Sequence, residues 1–235
     1  MSPERILITA GPTSEPVDAV RSITNRSSGR LGVALARAAI AAGHPTTLLL
    51  GPIAGPAPTA EPVGVDQTAE NAADQNSTRL AVHRFTTTAE LQHTLAATWP
   101  DHDVLIMAAA VADFRPVPSR ETKIRRSKDG FVLHLEPTPD LLAELASTTR
   151  PDQTLIGFAL EPRAGLLDAA REKMTRKGVD AIVANPLETM DAEDIDARVL
   201  LAGGVVLSPG AMSKVEFAAW LIATLPRVRH VRGTR

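Results

Sequence analysis

The stretch RILITAGPTSEPVDAVRSITNRSSGRLGVALARAAIAAG, residues 5–43, decides the fold of this chain. It opens with a short apolar run, Arg5–Ala10, that ends at Gly11-Pro12, a pattern typical of a parallel strand buried on both faces. A long polar turn follows, and a helix is predicted from about Ser27-Ser28, either of which can cap it. Gly43 ends that helix at the usual left-handed position. The stretch therefore predicts the strand, crossover and helix that open an α/β sheet.

The turn between this strand and helix carries groups suited to a ligand. A helix start offers free backbone N–H groups and partial positive charge, which suit a phosphate. Gly29 has no Cβ, so a ligand or a neighbouring strand can come close. Asn25 and Arg26 add side-chain donors. On the residues alone, an ordinary polar crossover that binds nothing is an equal alternative.

The rest of the chain alternates short apolar runs with helical patterns. The predicted strands are Thr46–Leu50, Leu80–Phe85, Asp103–Val111, Thr154–Ala159, Asp180–Ala184 and two segments within Val199–Leu207. The predicted helices are Ala89–Thr98 capped by Thr88, one starting at Thr138-Pro139, Ala164–Lys177, and Lys214–Leu225 capped by Ser213. This alternation predicts a doubly wound, mostly parallel, Rossmann-like α/β sheet with helices on both faces, and ligands in such sheets bind beyond the carboxyl ends of the strands.

We expect residues 1–235 to form a single domain with three less regular parts. Residues 52–78 are rich in Pro, Gly and Ala and predict a long loop. Lys123–Arg126 and Phe131–Leu135 flank Asp129-Gly130, so a β-hairpin, here called the flap, is predicted over about residues 120–136. The basic tail, residues 227–235, is expected to fray.

Composition excludes several classes of function. The net charge of −2 argues against a nucleic-acid surface. No apolar run is long enough to span a membrane, and the N-terminus lacks a signal-peptide pattern, so we expect a cytoplasmic protein. The chain has no cysteine, which removes disulfides and thiol nucleophiles, and its six histidines show no metal-ligand spacing. We therefore expect no metal site built by the protein alone.

Two nucleotide-binding classes remain as alternatives. An NAD(P)-dependent reductase is disfavoured, because the turn GPTSEP lacks the G-x-G-x-x-G pattern and the second strand ends in LLLGP without an acid for a ribose. The chain also has no tyrosine. A non-catalytic nucleotide-binding module is not excluded by the residues.

Seven short motifs occur in one order along residues 4–225. They are Gly11-Pro12-Thr13, Asn25–Gly29, Ala109–Pro116, Lys123–Arg126, Thr138–Asp140, Gly157–Ala159, and Lys173 with Arg176-Lys177 and Asp180. Together these motifs resemble phosphopantothenate–cysteine ligase, a family often fused to a flavin-dependent decarboxylase in coenzyme A biosynthesis. The decarboxylase half is absent here, so we expect a stand-alone or excised ligase domain, with a separate phosphopantothenoylcysteine decarboxylase as a partner to test.

The resemblance implies a two-step reaction. The carboxylate of 4'-phosphopantothenate attacks the α-phosphate of CTP with Mg²⁺ assisting, which gives an acyl-cytidylate and pyrophosphate. The amine of cysteine then attacks the acyl carbon and CMP leaves. The resemblance also implies a homodimer in which the flap reaches toward the partner subunit. Because attack of one anion on another is opposed by repulsion, such a site needs fixed positive charge.

The resemblance also assigns site residues. The implied nucleotide contacts are Met107, Ala108, Ala109, Asp113, Lys123, Pro139, Asp140, Leu141, Leu142, Phe158, Lys173 and Lys177. Asn25 matches the family asparagine that turns over the acyl-cytidylate, and with Lys123 it is the catalytic candidate. The candidates for the substrate phosphate or acyl end are Gly11, Asn25, Arg26 and Gly29.

Structural alternatives accompany these assignments. Asp113 can simply end a strand, Phe158 can be a core residue, and Lys173 with Lys177 can form a solvated helix face. The flap cations can serve solubility alone.

One motif departs from the family pattern. In the bacterial motif K-x-K-K-x-x-D the first basic position is Met174 here, and eukaryotic relatives without that motif use ATP. We favour CTP because Arg176-Lys177 and Asp180 match the remaining positions.

Overall fold

An eight-stranded sheet forms the centre of the computed structural model, which describes residues 3–55, 58, 80–117, 121–126, 128, 130–190 and 192–232. The strands are β1 (Ile6–Ala10), β2 (Ser14–Pro16), β3 (Ser22–Thr24), β4 (Thr46–Leu50), β5 (Leu80–Arg84), β6 (Val104–Met107), β7 (Phe114–Pro116), β8 (Leu135–Pro137), β9 (Thr154–Glu161), β10 (Ala181–Pro186), β11 (Asp194–Ile195), β12 (Arg198–Leu201), β13 (Val206–Leu207) and β14 (Met212–Ser213). The α-helices are α1 (Arg30–Ala41), α2 (Thr88–Thr98), α3 (Leu141–Thr148), α4 (Leu166–Lys177) and α5 (Lys214–Arg232). The predicted α/β class is confirmed.

The sheet has the order β13-β12-β10-β9-β6-β1-β4-β5. The six strands from β10 to β5 are parallel, and β12 and β13 add antiparallel strands at one edge. From β1 the chain first moves to β4 and β5, then returns to β6 on the other side of β1. The order therefore reverses between β1 and β6, which is the switch point where doubly wound sheets bind ligands.

Helices cover both faces of this sheet, as predicted. Ile6 and Ile8 of β1 pack with α1 and α5 in one apolar cluster, and Leu7 packs with α2, α3 and α4 in the other. All five residues of β1 are buried, because successive side chains point to opposite, equally covered faces. No helix among the described residues is long and apolar enough to cross a membrane.

α1 begins at Arg30, slightly later than the predicted start near Ser27-Ser28. The hydroxyl of Ser28 accepts from the Arg30 N–H at 3.5 Å, two residues on as predicted, but the residue in the N-cap position is Gly29, which is left-handed with φ of 69°. A Cβ on Gly29 would lie 2.7 Å from Ile53 Cγ2, and one on Gly32 would lie 2.4 Å from the Cβ of Ala10. Two glycines therefore let α1 press against β1.

Two other predicted caps are displaced by one or two residues. Thr87, not Thr88, caps α2 and forms a reciprocal capping box with Glu90. Asp140 caps α3 by accepting from the backbone N–H of Ala143 at 3.2 Å, so Thr138 and Pro139 lie before the helix. The cap signals were present in the sequence, but neighbouring polar residues competed for the same role.

The flap has different strands from those predicted. β7 pairs antiparallel with β8, while Lys123–Arg126 forms no strand, and of Phe131–Leu135 only Leu135 does. The predicted turn residue Asp129 and most of the predicted loop 52–78 lie outside the described residues. Among the described residues, the basic segment Lys123–Arg126 has no neighbouring strand to pair with, so it does not extend the two-stranded β7–β8 sheet.

The predicted frayed tail is wrong for residues 227–232, because α5 continues through Pro226 to Arg232. Leu225 and Val228 are buried on either side of the proline. Arg229 donates to the carbonyl of Asp152 at 2.6 Å and pairs with Glu4. Tertiary packing thus outweighs the backbone hydrogen bond that proline removes.

Candidate functional site

The carboxyl ends of β1 and β6 meet at the switch point and form a crevice. β6 ends at Met107 rather than at the predicted Val111, so residues 108–113 are free to form a loop there. This loop is bonded to the loop after β1: Ala110 donates to the carbonyl of Gly11 at 2.9 Å, and Thr13 donates to the carbonyl of Ala110 at 3.2 Å. The two strand-end loops are therefore held in one fixed arrangement.

Asn25 lies against this pair of loops. Its Nδ2 donates to the carbonyl of Val111 at 2.9 Å, while the side chain stays exposed. The preceding residue, Thr24, donates through Oγ1 to the carbonyl of Thr13 at 2.7 Å. The predicted catalytic amide is thus anchored at the switch point, beside the loop that follows the central strand.

Buried polar residues beneath Asn25 were not predicted. The Glu15 carboxylate, buried in the β2–β3 hairpin, accepts from both the backbone N–H and the Oγ1 of Thr88 at 2.7 Å. The hydroxyl of Thr13 accepts from the backbone N–H of Ala112 at 2.9 Å. These bonds link β2, α2 and the loop after β6, and their partners are more than 70 residues apart in the chain. No local sequence pattern could predict them.

Gly11 and Gly29 lie next to each other at the mouth of the crevice. A Cβ on Gly29 would approach the backbone nitrogen of Gly11 to 3.3 Å. The Arg30 N–H donates to the Ser28 hydroxyl at 3.5 Å, and the next two N–H groups of the first turn of α1 have no described side-chain partner, so they remain available to a ligand. Arg26 is exposed in the loop between Asn25 and this helix start. Three of the four predicted substrate residues, Gly11, Asn25 and Gly29, are thus seen to converge on the crevice.

A second group of predicted residues lies on the other side of β6. Met107 pairs with Gly157 of β9, and a Cβ on Gly157 would lie 2.7 Å from Leu142 Cδ2. Leu141 and Leu142 are buried in the same apolar cluster as Met107, so the first turn of α3 packs over Gly157 of β9, beside the end of β6. Phe158 is half-buried against the opposite apolar cluster. Met107, Leu141 and Leu142 are core residues, as the apolar strand and the inward face of the helix predicted, and the sequence did not show that their side chains meet in one cluster beside the crevice.

The two predicted lysines of α4 have different surroundings. The ammonium of Lys177 lies 2.8 Å from the Asp140 carboxylate at the start of α3, and only 15% of its side chain is exposed. Burial would raise the pKa of Asp140, but the hydrogen bonds from Lys177 and from the Ala143 N–H outweigh it and lower the pKa. The Lys177 side chain is therefore held by Asp140 beside the apolar cluster at the end of β6.

Lys173 is half-buried one turn earlier on the same helix. Burial is the main cause that lowers its pKa, and the charge of Lys177 adds to it, while Glu161 acts in the opposite direction. Two cations held close together without a full set of counter-charges favour an anionic ligand.

Asp113 and Lys123 are exposed and less firmly placed. The backbone carbonyl of Asp113 accepts from the Thr138 N–H at 2.9 Å, which joins the loop after β6 to the start of α3. The Lys123 side chain makes no hydrogen bond or ion pair within the described part of the chain, and no described contact joins it to Asn25, Lys173 or Lys177. Its neighbour Ile124 is bonded to Asp18. The structure thus places Lys123 on the flap, apart from the other predicted residues.

Asp180, which supported the choice of CTP, has a structural role. It is buried, and its carboxylate accepts from the Leu155 N–H of β9 at 2.8 Å. This hydrogen bond joins the residue before β10 to β9. The choice of CTP stays a prediction from the motif match of Arg176, Lys177 and Asp180.

The described residues contain no group of three or more His, Asp or Glu side chains that could hold a metal ion. They do not fit a protein-built Mg²⁺ cage. Magnesium often binds through substrate phosphates with few protein ligands, so its place would be with a nucleotide rather than with a protein cluster.

Known proteins resemble the chain over most of its length. A profile of the DNA/pantothenate metabolism flavoprotein C-terminal domain matches residues 1–228. A cysteine/cysteine sulfinic acid decarboxylase of an unidentified prokaryote is 41% identical over 184 residues, which cover 78% of this chain and 46% of that protein. The coenzyme A biosynthesis bifunctional protein CoaBC of Vibrio cholerae is 39% identical over 184 residues, 77% of this chain and 41% of that protein.

A solved structure extends the similarity to the fold. The crystal structure of the C-terminal domain of a coenzyme A biosynthesis bifunctional protein CoaBC matches with a TM-score of 0.75 and 27% identity, and covers 97% of this chain and 98% of that chain. The chain spans less than half the length of the two curated relatives. Because the family profile covers nearly all of the sequence, the chain belongs to the family of the DNA/pantothenate metabolism flavoprotein C-terminal domain.

Proposed function

We propose that this protein is a phosphopantothenate–cysteine ligase that uses CTP and forms an acyl-cytidylate. One observation carries the proposal: the loop after β6 joins an anchored amide on one side to a buried cation on the other. Asn25 bonds to the carbonyl of Val111, and the Asp113 carbonyl accepts from Thr138, just before the α3 cap that holds Lys177. An amide and fixed cations around one loop are the groups that the two steps require. Membership of a family whose relatives are named for coenzyme A biosynthesis supports the same reaction.

The first step joins two anions. A carboxylate oxygen of 4'-phosphopantothenate forms a bond to the α-phosphorus of CTP, and the bond from that phosphorus to the departing pyrophosphate breaks. Lys177 and Lys173 lower the repulsion between the two anionic reactants. Both lysines are partly buried, and charges interact more strongly where water is partly excluded. Lys123 adds a third cation from the flap. The wall of Met107, Leu141 and Leu142 excludes water from one side of the nucleotide.

The second step transfers the acyl group. The cysteine nitrogen forms a bond to the acyl carbon, CMP leaves with the electrons of the carbon–oxygen bond, and the nitrogen loses a proton to solvent. Negative charge develops on the acyl oxygen as this bond forms. We assign the hydrogen bond to that oxygen to the Asn25 amide, whose Nδ2 is held at the crevice by the carbonyl of Val111. Arg26 and the backbone N–H groups of the α1 start are proposed to hold the substrate phosphate.

Several finer features belong to the same proposal. Magnesium would arrive on the triphosphate, since the described residues offer no metal cluster of their own. We further propose a homodimer, and a separate decarboxylase that consumes the product.

The direct test is turnover by the purified chain. We expect pyrophosphate release from CTP only when 4'-phosphopantothenate is present, and phosphopantothenoylcysteine when cysteine is added, both followed by mass spectrometry. ATP in place of CTP ranks the two nucleotides, and NADP in a thermal-shift comparison tests a reductase. Carbon dioxide release from cysteine sulfinic acid tests the activity named for the relative that is 41% identical. Absence of pyrophosphate with both CTP and ATP would reject the ligase.

A further inference from the structure

A buried carboxylate in the β2–β3 turn holds the flap. Asp18 is almost fully buried and accepts four hydrogen bonds. Three are local, from the backbone N–H groups of Val20 and Arg21 at 2.8 Å and from the Arg21 guanidinium at 2.6 Å. The fourth comes from the backbone N–H of Ile124, 106 residues away on the flap, at 3.0 Å. The pKa of Asp18 falls to about 2, with the Ile124 hydrogen bond as the largest cause.

Ile124 is held from both sides of its peptide. Its N–H donates to Asp18, and its carbonyl accepts from the Arg21 guanidinium at 3.4 Å. Within the described residues these two bonds join the segment 121–126 to the β2–β3 hairpin, while the other end of the flap is joined to the end of β7, where the Val117 N–H donates to the carbonyl of His134 at 2.9 Å. Elsewhere on the flap Phe131 and Val132 are 57% and 75% exposed. Asp18 and Arg21 therefore act as a clamp on one residue of an otherwise exposed segment.

We propose that Asp18 is a positioning residue for Lys123. The inference rests on the proposed role of Lys123 in nucleotide binding. Lys123 precedes the clamped residue directly, and Ile124 is partly buried while Lys123 is exposed. Fixing the backbone at residue 124 restricts the positions that the Lys123 ammonium can reach. In the proposed complex these positions lie beside the triphosphate of CTP. A clamp of this kind removes conformational freedom that binding would otherwise have to remove.

The same hairpin also carries Asn25. β3 ends at Thr24, one residue before Asn25, and Asp18 lies in the turn that joins β2 to β3. One rigid element therefore holds the amide of the second step and, through Ile124, the flap lysine of the first. Movement of this hairpin would displace both groups together.

The test removes the clamp while keeping the Lys123 side chain. In Asp18→Asn an amide replaces the carboxylate that faces Ile124, and in Ile124→Pro the donated backbone N–H is lost, although proline also restricts the backbone of Lys123. We expect each variant to raise KM for CTP on the order of tenfold, as is expected for Lys123→Ala, and to speed tryptic cleavage after Arg125, Arg126 and Lys128 by a similar factor. Cleavage after Lys123 is compared in Asp18→Asn alone, because trypsin does not cleave before proline. Asp152→Asn, an exposed aspartate bonded to Arg150, is the matched control and should change neither.

A double-variant cycle decides whether the effect passes through Lys123. Combining Asp18→Asn with Lys123→Ala should raise KM no further than Lys123→Ala alone, because the lysine to be positioned is already gone. Additive effects overturn the positioning role, as does an unchanged KM in both clamp variants when Lys123→Ala raises it. An unchanged CTP affinity in Lys123→Ala rejects the nucleotide role of Lys123, and the positioning role with it. The cleavage assay needs no turnover, so it reports on the clamp even then.

Discussion

The crevice between β1 and β6 and the flap are held in opposite ways. At the crevice, Asn25 and the two strand-end loops are tied by hydrogen bonds between backbone groups and through Thr13. On the flap, two hydrogen bonds hold Ile124 to the β2–β3 hairpin, and the other described bonds join residues 134–136 to β7 and Val117. The crevice is thus tied through several elements, whereas the described flap residues 121–126 are held at Ile124 alone.

This difference matches two requirements of the proposed reaction, a fixed hydrogen-bond donor and a part that can move. Acyl transfer requires a donor that is already in place when charge develops on the acyl oxygen, because reorganisation would add to the barrier. Nucleotide entry and pyrophosphate departure require a part that can open, and loops with few contacts do this at low cost. We therefore expect substitutions at the crevice to lower activity and stability more than substitutions on the flap do.

The largest effect is expected from Asn25→Asp at the crevice. A carboxylate cannot donate to Val111 or to the acyl oxygen, and its charge opposes the charge that develops there. We expect pyrophosphate release to persist in the first turnover while formation of the final product falls on the order of 100-fold. Quenched reactions analysed by mass spectrometry should show acyl-cytidylate accumulating.

Asn25→Ala separates the two causes. It removes the donor without adding charge, so it should also accumulate the intermediate but lose less activity. If neither variant accumulates acyl-cytidylate, the amide has no part in the second step.

A stability comparison uses two glycines, one in each region. Gly32→Ala places a Cβ 2.4 Å from the Cβ of Ala10 and 3.0 Å from its Cα, so α1 must move away from β1. We expect a loss of about 1–3 kcal/mol in the free energy of unfolding, measured by urea denaturation. Gly130→Ala on the flap meets no atom within 4 Å and should stay within about 0.5 kcal/mol of the wild type. Equal losses in the two variants would show that the regions do not differ in packing.

Lys123→Ala tests the flap side of the comparison. We expect CTP to bind about 1–3 kcal/mol more weakly, near the lower end because the side chain is exposed, by isothermal calorimetry. Lys128→Ala removes an equal charge from the same exposed segment and should change binding little. Equal weakening by both variants would point to a general charge effect of the flap rather than to a specific contact.

Much of the fold could be predicted because its strands are buried on both faces. β4 was placed at its observed bounds, since Thr46–Leu50 is a short apolar run that ends at a Gly-Pro pair. The start of α1 was predicted two to three residues early, because Ser27 and Ser28 are local cap signals and nothing local reveals the contacts of Gly29 with Ile53. The continuation of α5 was missed for the same reason, as Pro226 is a strong local stop signal.

The candidate site was less predictable from residues alone. Nothing in the spacing of Asp140 and Lys177 indicated that they would pair across 37 residues, and only the family resemblance placed both at the nucleotide. Glu15 and Asp18 were read as parts of a polar turn. Both are buried and satisfied by donors 73 and 106 residues away, a distance at which sequence patterns carry no signal.

The smallest effect is expected from Asp140→Asn, which tests whether Lys177 belongs to the fixed region. Asparagine caps a helix about as well as aspartate, so the variant isolates the ion pair with Lys177. Because 42% of the Asp140 side chain is exposed, solvent screening limits the expected loss to about 0.5–1 kcal/mol of unfolding free energy at pH 7. The pKa of Asp140 is lowered in the folded state, so this contribution is complete above about pH 4 and disappears as the pH falls through the folded pKa. Urea denaturation at pH 7 and pH 3 should show the difference in unfolding free energy between variant and wild type shrinking at the lower pH.

Asp168→Asn is the control, because Asp168 forms an ion pair with Arg171 on the exposed side of α4. Its unfolding free energy should differ little from the wild type at either pH. A gap for Asp140→Asn that stays constant with pH would mean that the carboxylate charge contributes nothing, and Lys177 would then be as loosely held as Lys123.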